Sequence, residues 1–356
     1  MLTKIGPAIF CLVAFTSAKG QDTTKNAFFK FSGSADAYYR YDFNNPEKPF
    51  NNFTSFTNSQ NSFELGSVSF KAEHNVGKVG MLADVGFGKR ADEFSYNDEK
   101  SSIAIKQLYV TYSPSPKIKL TMGSWATHVG YESVDAYANR NYSMSYLFSY
   151  GPFFHTGLKA DISLSGKSNL MIGVANPSDL KYASNLPKMI IGQFSTSTKD
   201  DKVKLAINYQ GGKNNDSAKL YQGDVVVNYS IAQKWSLGYN GSVQWRKGKQ
   251  FDKWDASKSW YGNALYINSS PNSWLAFCLR TELFNDNKNV LGFDDSIFET
   301  TFSTNFIIDN LTIIPEIRFE SAGKKIYSKQ NGDGINKTGN FLLAVVYHFN
   351  IPINSK

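Results

Sequence analysis

Charged residues in this chain recur at a spacing of two within short alternating segments. Arg280 and Glu282 stand in RTELFND; Glu316, Arg318 and Glu320 stand in PEIRFE; Lys159 and Asp161 stand in GLKADIS; Glu299 lies between the first two groups. A spacing of two puts side chains on one face of a β-strand. Opposed charges on facing walls create a transverse field that orders water and sorts solutes by charge and dipole. The competing reading is a set of neutralising ion pairs that stiffen a wall. Catalysis has less support: no H-E-x-x-H, G-x-S-x-G, Walker or C-x-x-C string is present. Of the four histidines, His74 and His348 sit at expected strand ends, while His128 and His155 flank one long connection and could approach each other. A hydrogen-bonding role suits that pair better than a metal or general-base role. No metal and no cofactor is expected.

The elements that carry these charges begin after an N-terminal segment of different character. In MLTKIGPAIFCLVAFTSAKGQ, Lys4 precedes an apolar run from Ile5 to Ala18, followed by small residues. That pattern is a secretory signal peptide, residues 1–20, with cleavage after Ala18 or Gly20, and it is too short to span a bilayer. The rest, 21–356, reads as one domain. Removing Lys4 and Lys19 lowers the 38 basic residues to 36 against 30 acidic, so the net charge of +8 becomes +6. Cys278 is then the only cysteine, which excludes a disulfide scaffold and reads as a small strand residue. No later segment approaches 18 consecutive apolar residues, so no helix of that length and character spans a membrane. An exported chain rich in Tyr, Phe, Ser, Asn and Gly is then either a secreted all-β protein or a transmembrane β-barrel.

Period-two patterning runs along nearly all of the domain. In FFKFSGSADAYYRY the odd positions from Phe29 to Tyr41 are aromatic or small, and the even ones include Lys30, Asp36 and Arg40. The pattern predicts sixteen strands, within a range of 14–18: 28–41, 63–74, 78–88, 102–113, 117–125, 154–165, 168–176, 188–195, 202–210, 219–230, 234–246, 258–268, 273–284, 297–308, 311–320 and 340–349. Pro315 predicts a bulge or other irregularity in the fifteenth.

The connections alternate in length. Long ones are expected at 42–62, 89–101, 126–153, 177–187, 211–218, 247–257, 285–296 and 321–339; the others are short. A soluble sandwich has no reason to sort loops by parity. A closed antiparallel up-and-down transmembrane barrel does, with short periplasmic turns and long extracellular loops. Hydrocarbon offers no partner to an open sheet edge, so a spanning sheet must close. Outward aromatics near strand ends suit the membrane interfaces. An Arg or Lys facing lipid near the midplane costs about 2–4 kcal/mol, which directs Lys159, Asp161, Arg280, Glu282, Glu299, Glu316, Arg318 and Glu320 to the lumen. The basic runs in the loops carry acidic residues among them, which together with export argues against nucleic acid.

The stretch NRNYSMSYLFSYGPFFHTG, from Asn139 to Gly157, lies in the longest connection and lacks strict alternation. Sixteen strands enclose an aqueous channel. This connection, 126–153, is expected to fold inward and narrow it, with a helical turn around Tyr142 to Phe148 ended by Gly151-Pro152. Glu132, Asp135, Arg140, Tyr142 and Tyr146 would then border the constriction with the wall charges.

Several strings resemble the OmpL-like family of outer-membrane β-barrel porins, the β-barrel porin-2 type. The block from Lys106 to Ala160 resembles its G-x-x-x-T-x-x-G-Y-E step, N-Y-S-x-S-Y-L-F loop and G-P-F-x-H-T-G return. RTELFND and LTIIPEIRFE resemble later strands of the family. The chain departs at Ser124 and Trp125, and in running past Phe349 through NIPINSK. The resemblance implies a porin without naming a solute. The expected function is passive diffusion of small hydrophilic solutes across the outer membrane, by a chain that is not an enzyme. The alternative is a plugged barrel acting as an adhesin or binding protein through its extracellular loops. Expected partners are outer-membrane lipid, the solutes and the barrel-insertion machinery, with room for a homo-oligomer.

Overall fold

The computed structural model describes residues 27–47, 50–97, 103–251 and 253–354. The expected signal peptide, 1–20, lies outside them. Sixteen strands form one closed antiparallel sheet: β1 Phe28–Asp42, β2 Ser62–Val76, β3 Val79–Phe87, β4 Ile103–Ser115, β5 Ile118–Ala126, β6 Phe154–Ser163, β7 Asn169–Ala175, β8 Met189–Ser197, β9 Val203–Asn215, β10 Ala218–Ala232, β11 Trp235–Gln250, β12 Lys258–Ser269, β13 Leu275–Asn285, β14 Ser296–Ile308, β15 Leu311–Ala322 and β16 Lys337–Asn354. Each strand pairs with its sequence neighbours, and β1 closes the ring on β16 from Phe28 opposite Asn354 to Asp42 opposite Asn340. No free edge is left for hydrocarbon to starve of hydrogen bonds.

The alternation sorts side chains as expected. Along β13–β15 the residues Arg280, Glu282, Glu299, Glu316, Arg318 and Glu320 are buried, while Leu283, Phe298, Phe302 and Phe319 are exposed on the other face. The exposed face therefore meets lipid, and the buried face meets the lumen and its contents. The short turns lie at one end, at 77–78, 116–117, 164–168, 198–202, 233–234, 270–274 and 309–310, together with both ends of the sheet-forming chain.

Two expected long loops are not loops. β9 runs on to Asn215 and β10 starts at Ala218, so 211–218 collapses to a two-residue turn. β11 continues to Gln250, and Lys253–Trp254 pairs back onto it, so 247–257 is mostly hairpin. A strand that rises beyond the hydrocarbon core has polar surroundings, headgroups or water, on both faces and no reason to alternate, which hid these extensions. β16 likewise does not stop at Phe349: residues 350–354 extend it against the start of β1. Pro315 brings the neighbouring irregularity but no bulge. The ladder between β14 and β15 skips from Ser303–Glu316 to Phe306–Ile313, but the register is unchanged on both sides. Proline lacks the N–H for one bond, and neighbours paired on both flanks hold the strand in line.

Candidate site: the loop held against the inner wall

The connection 127–153 leaves β5 and returns to β6 through a neck in which Thr127 N–H donates to the Phe153 carbonyl (3.0 Å), and the Thr127 hydroxyl bonds His155 Nε2 (3.0 Å). Inside it stand a 3₁₀ turn, Ala136–Ala138, and the short helix α2, Tyr146–Tyr150. Ser145 caps α2 by accepting from Phe148 N–H, and Gly151-Pro152 ends it. The expected helical turn is present, displaced a few residues toward the C-terminus. Ser145 sets that position, because serine favours the cap over the helix interior.

The loop main chain is bonded on one side to the wall charges. Glu316 accepts from the N–H groups of Tyr142 (2.8 Å) and Ser143 (3.2 Å), and Glu282 from those of Tyr146 and Leu147 (2.7 Å each). Arg280 donates to the Ser143 carbonyl (2.8 Å), and Arg318 to that of Met144 (2.8 Å). Carboxylates thus hold the loop's amides and guanidinium groups hold its carbonyls. Glu132, within the loop, pairs with Arg280 at 2.6 Å; Arg280 also pairs with Glu299 at 3.2 Å, and Arg318 with Glu320 at 2.7 Å. The Tyr146 hydroxyl donates to Glu320 (2.7 Å) and that of Tyr142 to Asp36 (2.5 Å). Arg140 reaches the Ser269 carbonyl (3.0 Å) and the Ser270 hydroxyl (2.8 Å) at a short turn. All of these partners belong to the lumen face, so the loop lies on the inner side of the barrel.

A second anchor grips the loop from β2, β3 and β4. Asp135 pairs with Lys106 and with Lys71 (3.5 Å), and both lysines also reach Asp84, at 3.5 and 3.2 Å. Burial disfavours the Asp135 charge, but the two lysines reverse that and hold its carboxyl below the usual carboxylate range. Tyr137 stacks on His348, ring centroids 3.8 Å apart, so His348 faces the lumen. His128 and His155 do approach, at 4.9 Å between centroids. His128 bonds the Tyr209 carbonyl (3.1 Å), and burial pushes its imidazole down to about 4, which keeps it neutral at physiological pH.

Beneath the loop is a cavity of about 920 Å³. It reaches from loop residues Val134, Asp135 and Tyr137 to Asp309 and Asn310 at a short turn. Among the residues singled out in the sequence, Glu132, Asp135, Lys159 and Asp161 border it. Glu132 and Arg140 also border a smaller space against β10–β13. Arg280, Glu282, Glu299, Glu316, Arg318 and Glu320 are instead covered by the loop, and Tyr142 and Tyr146 are its own side chains turned to the wall, each of the eight nearly inaccessible. On the cavity wall Lys159 (3.3 Å) and Lys119 (3.9 Å) flank Asp161, and the Lys159 ammonium sits 5.4 Å over the Trp125 ring. Lys71, Lys106, Lys119, Asp36 and Asp84 escaped the sequence reading as site residues. Lys71, Lys119, Asp36 and Asp84 alternate with outward apolar neighbours, so the same parity rule would have found them; Lys106 shares the parity of the exposed Leu108, Val110 and Tyr112 and turns inward only through the register shift between Ile105 and Gln107, which no parity rule shows.

At the long-loop end, Asp179 seals the neck. Its carboxylate accepts from Phe153 N–H (2.6 Å), Phe154 N–H (3.0 Å) and the Tyr96 hydroxyl (2.8 Å), with the Lys181 ammonium nearby over Phe154. Burial outweighs these donors and pushes Asp179 up to about 6. The folded state then holds a proton in the window between about 4 and 6 that the unfolded state has lost. Stability is therefore expected to fall as pH rises through that window, by on the order of 1–3 kcal/mol. Unfolding midpoints at pH 4.5 and 7 should show this, and Asp179→Asn should remove that part of the change. An identical pH profile in the variant would refute the assignment.

Comparison with known proteins places this geometry. No curated protein matches the sequence. Among solved structures, the anion-selective porin from Comamonas acidovorans superposes with a TM-score of 0.61 at 10% identity, covering 91% of this chain and 100% of its own. The outer membrane channel DcaP of Acinetobacter baumannii gives 0.61 at 10%, covering 93% and 100%. The trimer form of OmpT from Vibrio cholerae gives 0.60 at 8%, covering 91% and 99%. At such identities the likeness speaks for the fold alone. The model of the family described as "Putative beta-barrel porin-2, OmpL-like" matches residues 28–349, and the chain belongs to that family of outer-membrane porin barrels.

Proposed function

We propose that the protein is a channel for passive diffusion of small hydrophilic solutes, with loop 126–153 constricting its lumen. One observation carries this reading: the loop's main chain is held to the inner wall by Glu282, Glu316, Arg280 and Arg318. A loop bound through its backbone narrows the lumen whatever its side chains do, and the cavity beneath it leaves a wet path to the short-turn end. Selectivity then falls to groups that still face water. On the β5–β6 side of the cavity two lysines, Lys119 and Lys159, flank Asp161, a local excess of positive charge that favours anions, while Lys30 and Lys71 elsewhere on the lining stand with Glu132, Asp135 and Asp309. The Comamonas porin is anion-selective, and the Vibrio OmpT structure is a trimer form. We carry both to this chain as part of the proposal.

Purified protein in a planar bilayer tests the reading. Stable ohmic steps are expected, and Lys159→Glu with Lys119→Glu should move the reversal potential toward cations. A reversal potential that does not move would remove these lysines from the solute path.

One observation favours the plugged alternative. Phe56, Phe94, Phe148, Phe153 and Phe154 pack into a buried cluster that joins three connections at the long-loop end. A folded, heat-modifiable barrel that stays silent in the bilayer would decide for that alternative, with the extracellular loops as its binding surface.

A further inference from the structure

The hairpin extensions of β9, β10 and β11 carry an arrangement that neither the lumen nor the fold requires. In register across the three strands, Lys219 stands opposite Lys213 on one side and opposite Lys247 on the other. Directly opposite residues share a face, with Cβ atoms about 4.5–5.5 Å apart. The face is the outer one, because the next residue on β10, Leu220, is buried inward, as is Gln244 on β11. Like charges placed opposite one another destabilise a sheet unless a counter-charge sits between them. Some exposed lysines elsewhere have such partners: Lys167 holds Asp201, Lys202 holds Asp200 and Lys324 holds Asp294. Lys213, Lys219 and Lys247 hold no carboxylate among the described residues, although Asp216 and Asp255 are on the same hairpins. Lys219 lies instead over the Trp254 ring, at 4.1 Å.

What lies below the row identifies its level. Tyr221 and Trp245 are paired directly opposite each other, one pleat toward the membrane from Lys219 and Lys247. The Tyr209 hydroxyl covers Gly211, one pleat in from Lys213's pairing with Lys219. Outward Tyr and Trp mark the boundary between hydrocarbon and headgroups. The lysines therefore stand at headgroup depth, facing lipid, at the end that carries the long loops. We infer that Lys213, Lys219 and Lys247 bind the phosphate groups of a phosphorylated glycolipid in the outer leaflet, with Trp254 packing beside its sugar. The missing counter-charge of the row is then supplied by the membrane itself. This rests on the outer-membrane placement with the long loops outward, but not on the channel's being open.

The test uses the full barrel in detergent, titrated with bis-phosphorylated lipid A or its dephosphorylated counterpart, and reads bound lipid by native mass spectrometry. Preferential binding of the phosphorylated form is expected. Each lysine near an anionic surface is worth roughly fivefold, so Lys213→Gln, Lys219→Gln and Lys247→Gln together should weaken it about a hundredfold. Lys219→Gln alone should show the single step if the triple variant fails to fold, and Lys219→Arg should retain binding. Lys167→Gln with Lys202→Gln, at the short-turn end, should leave it unchanged. Equal binding of the dephosphorylated lipid, an unaffected Lys219→Gln variant, or full displacement by inorganic phosphate would each overturn the assignment to lipid. Unit conductance is expected to be the same in all these variants, so this failure and a failure of the channel reading are separable.

Discussion

Replacing residues 141–150 with a short Gly-Ser linker is expected to raise the unit conductance several-fold. This segment holds the main-chain amides and carbonyls that Glu316, Glu282, Arg280 and Arg318 bind, and it holds the rings of Tyr142, Tyr146 and Phe148. Its removal returns lumen cross-section to water along β13–β16. The wall charges lose partners but gain hydration, so they incur no penalty of the kind that follows when a polar group is left dry. The barrel should therefore still insert and show its heat-dependent shift on a gel. An unchanged conductance in such a folded variant would mean that the loop does not set the bottleneck.

Arg280→Met is expected to have the largest effect on stability. Arg280 is inaccessible and donates to Glu132, Glu299, Thr301 and the Ser143 carbonyl at once. Methionine fills much of the space but leaves Glu132 as a buried carboxylate without a guanidinium partner and Glu299 with only the more distant Arg318, at 3.9 Å. Removing one member of a buried ionic cluster typically costs about 3–5 kcal/mol. Arg280→Lys should recover only part of this, because an ammonium cannot fork to both carboxylates. Adding Glu299→Gln should recover more. Denaturant unfolding in lipid vesicles measures the loss, and a change below about 1 kcal/mol would contradict the account. In the linker-replaced chain the same substitution should cost less, since water then reaches Glu299. That departure from additivity is the signature of a coupled network.

These two expectations differ from what the charges alone suggest. Read from their spacing, Arg280, Glu282, Glu316, Arg318 and Glu320 are lumen-facing groups open to passing solutes. In the folded chain the same groups are covered by the loop, and the charges left facing the cavity include Lys159 and Asp161, joined by Lys119. The parity of a strand names the face of a residue. It does not say what rests on that face.

The sequence by itself determined the closed sixteen-stranded barrel, the face of the sheet on which the strand charges of β13–β15 stand, and the place of the long connection between the fifth and sixth strands. It could do so because bilayer and water act locally: each strand has one face against lipid and one against water, which writes a period of two into the residues. It misplaced strand ends beyond the hydrocarbon core, at 211–218, 247–257 and after Phe349, because polar surroundings on both faces erase the period. Only the tertiary structure decided that the loop's amides meet two glutamates and its carbonyls two arginines, that Asp135 closes on Lys71 and Lys106, and that Lys213, Lys219 and Lys247 form one row. Those pairings join residues up to some 174 positions apart or depend on the register between strands. Register and loop docking are set by closure of the whole ring, and no local pattern records them.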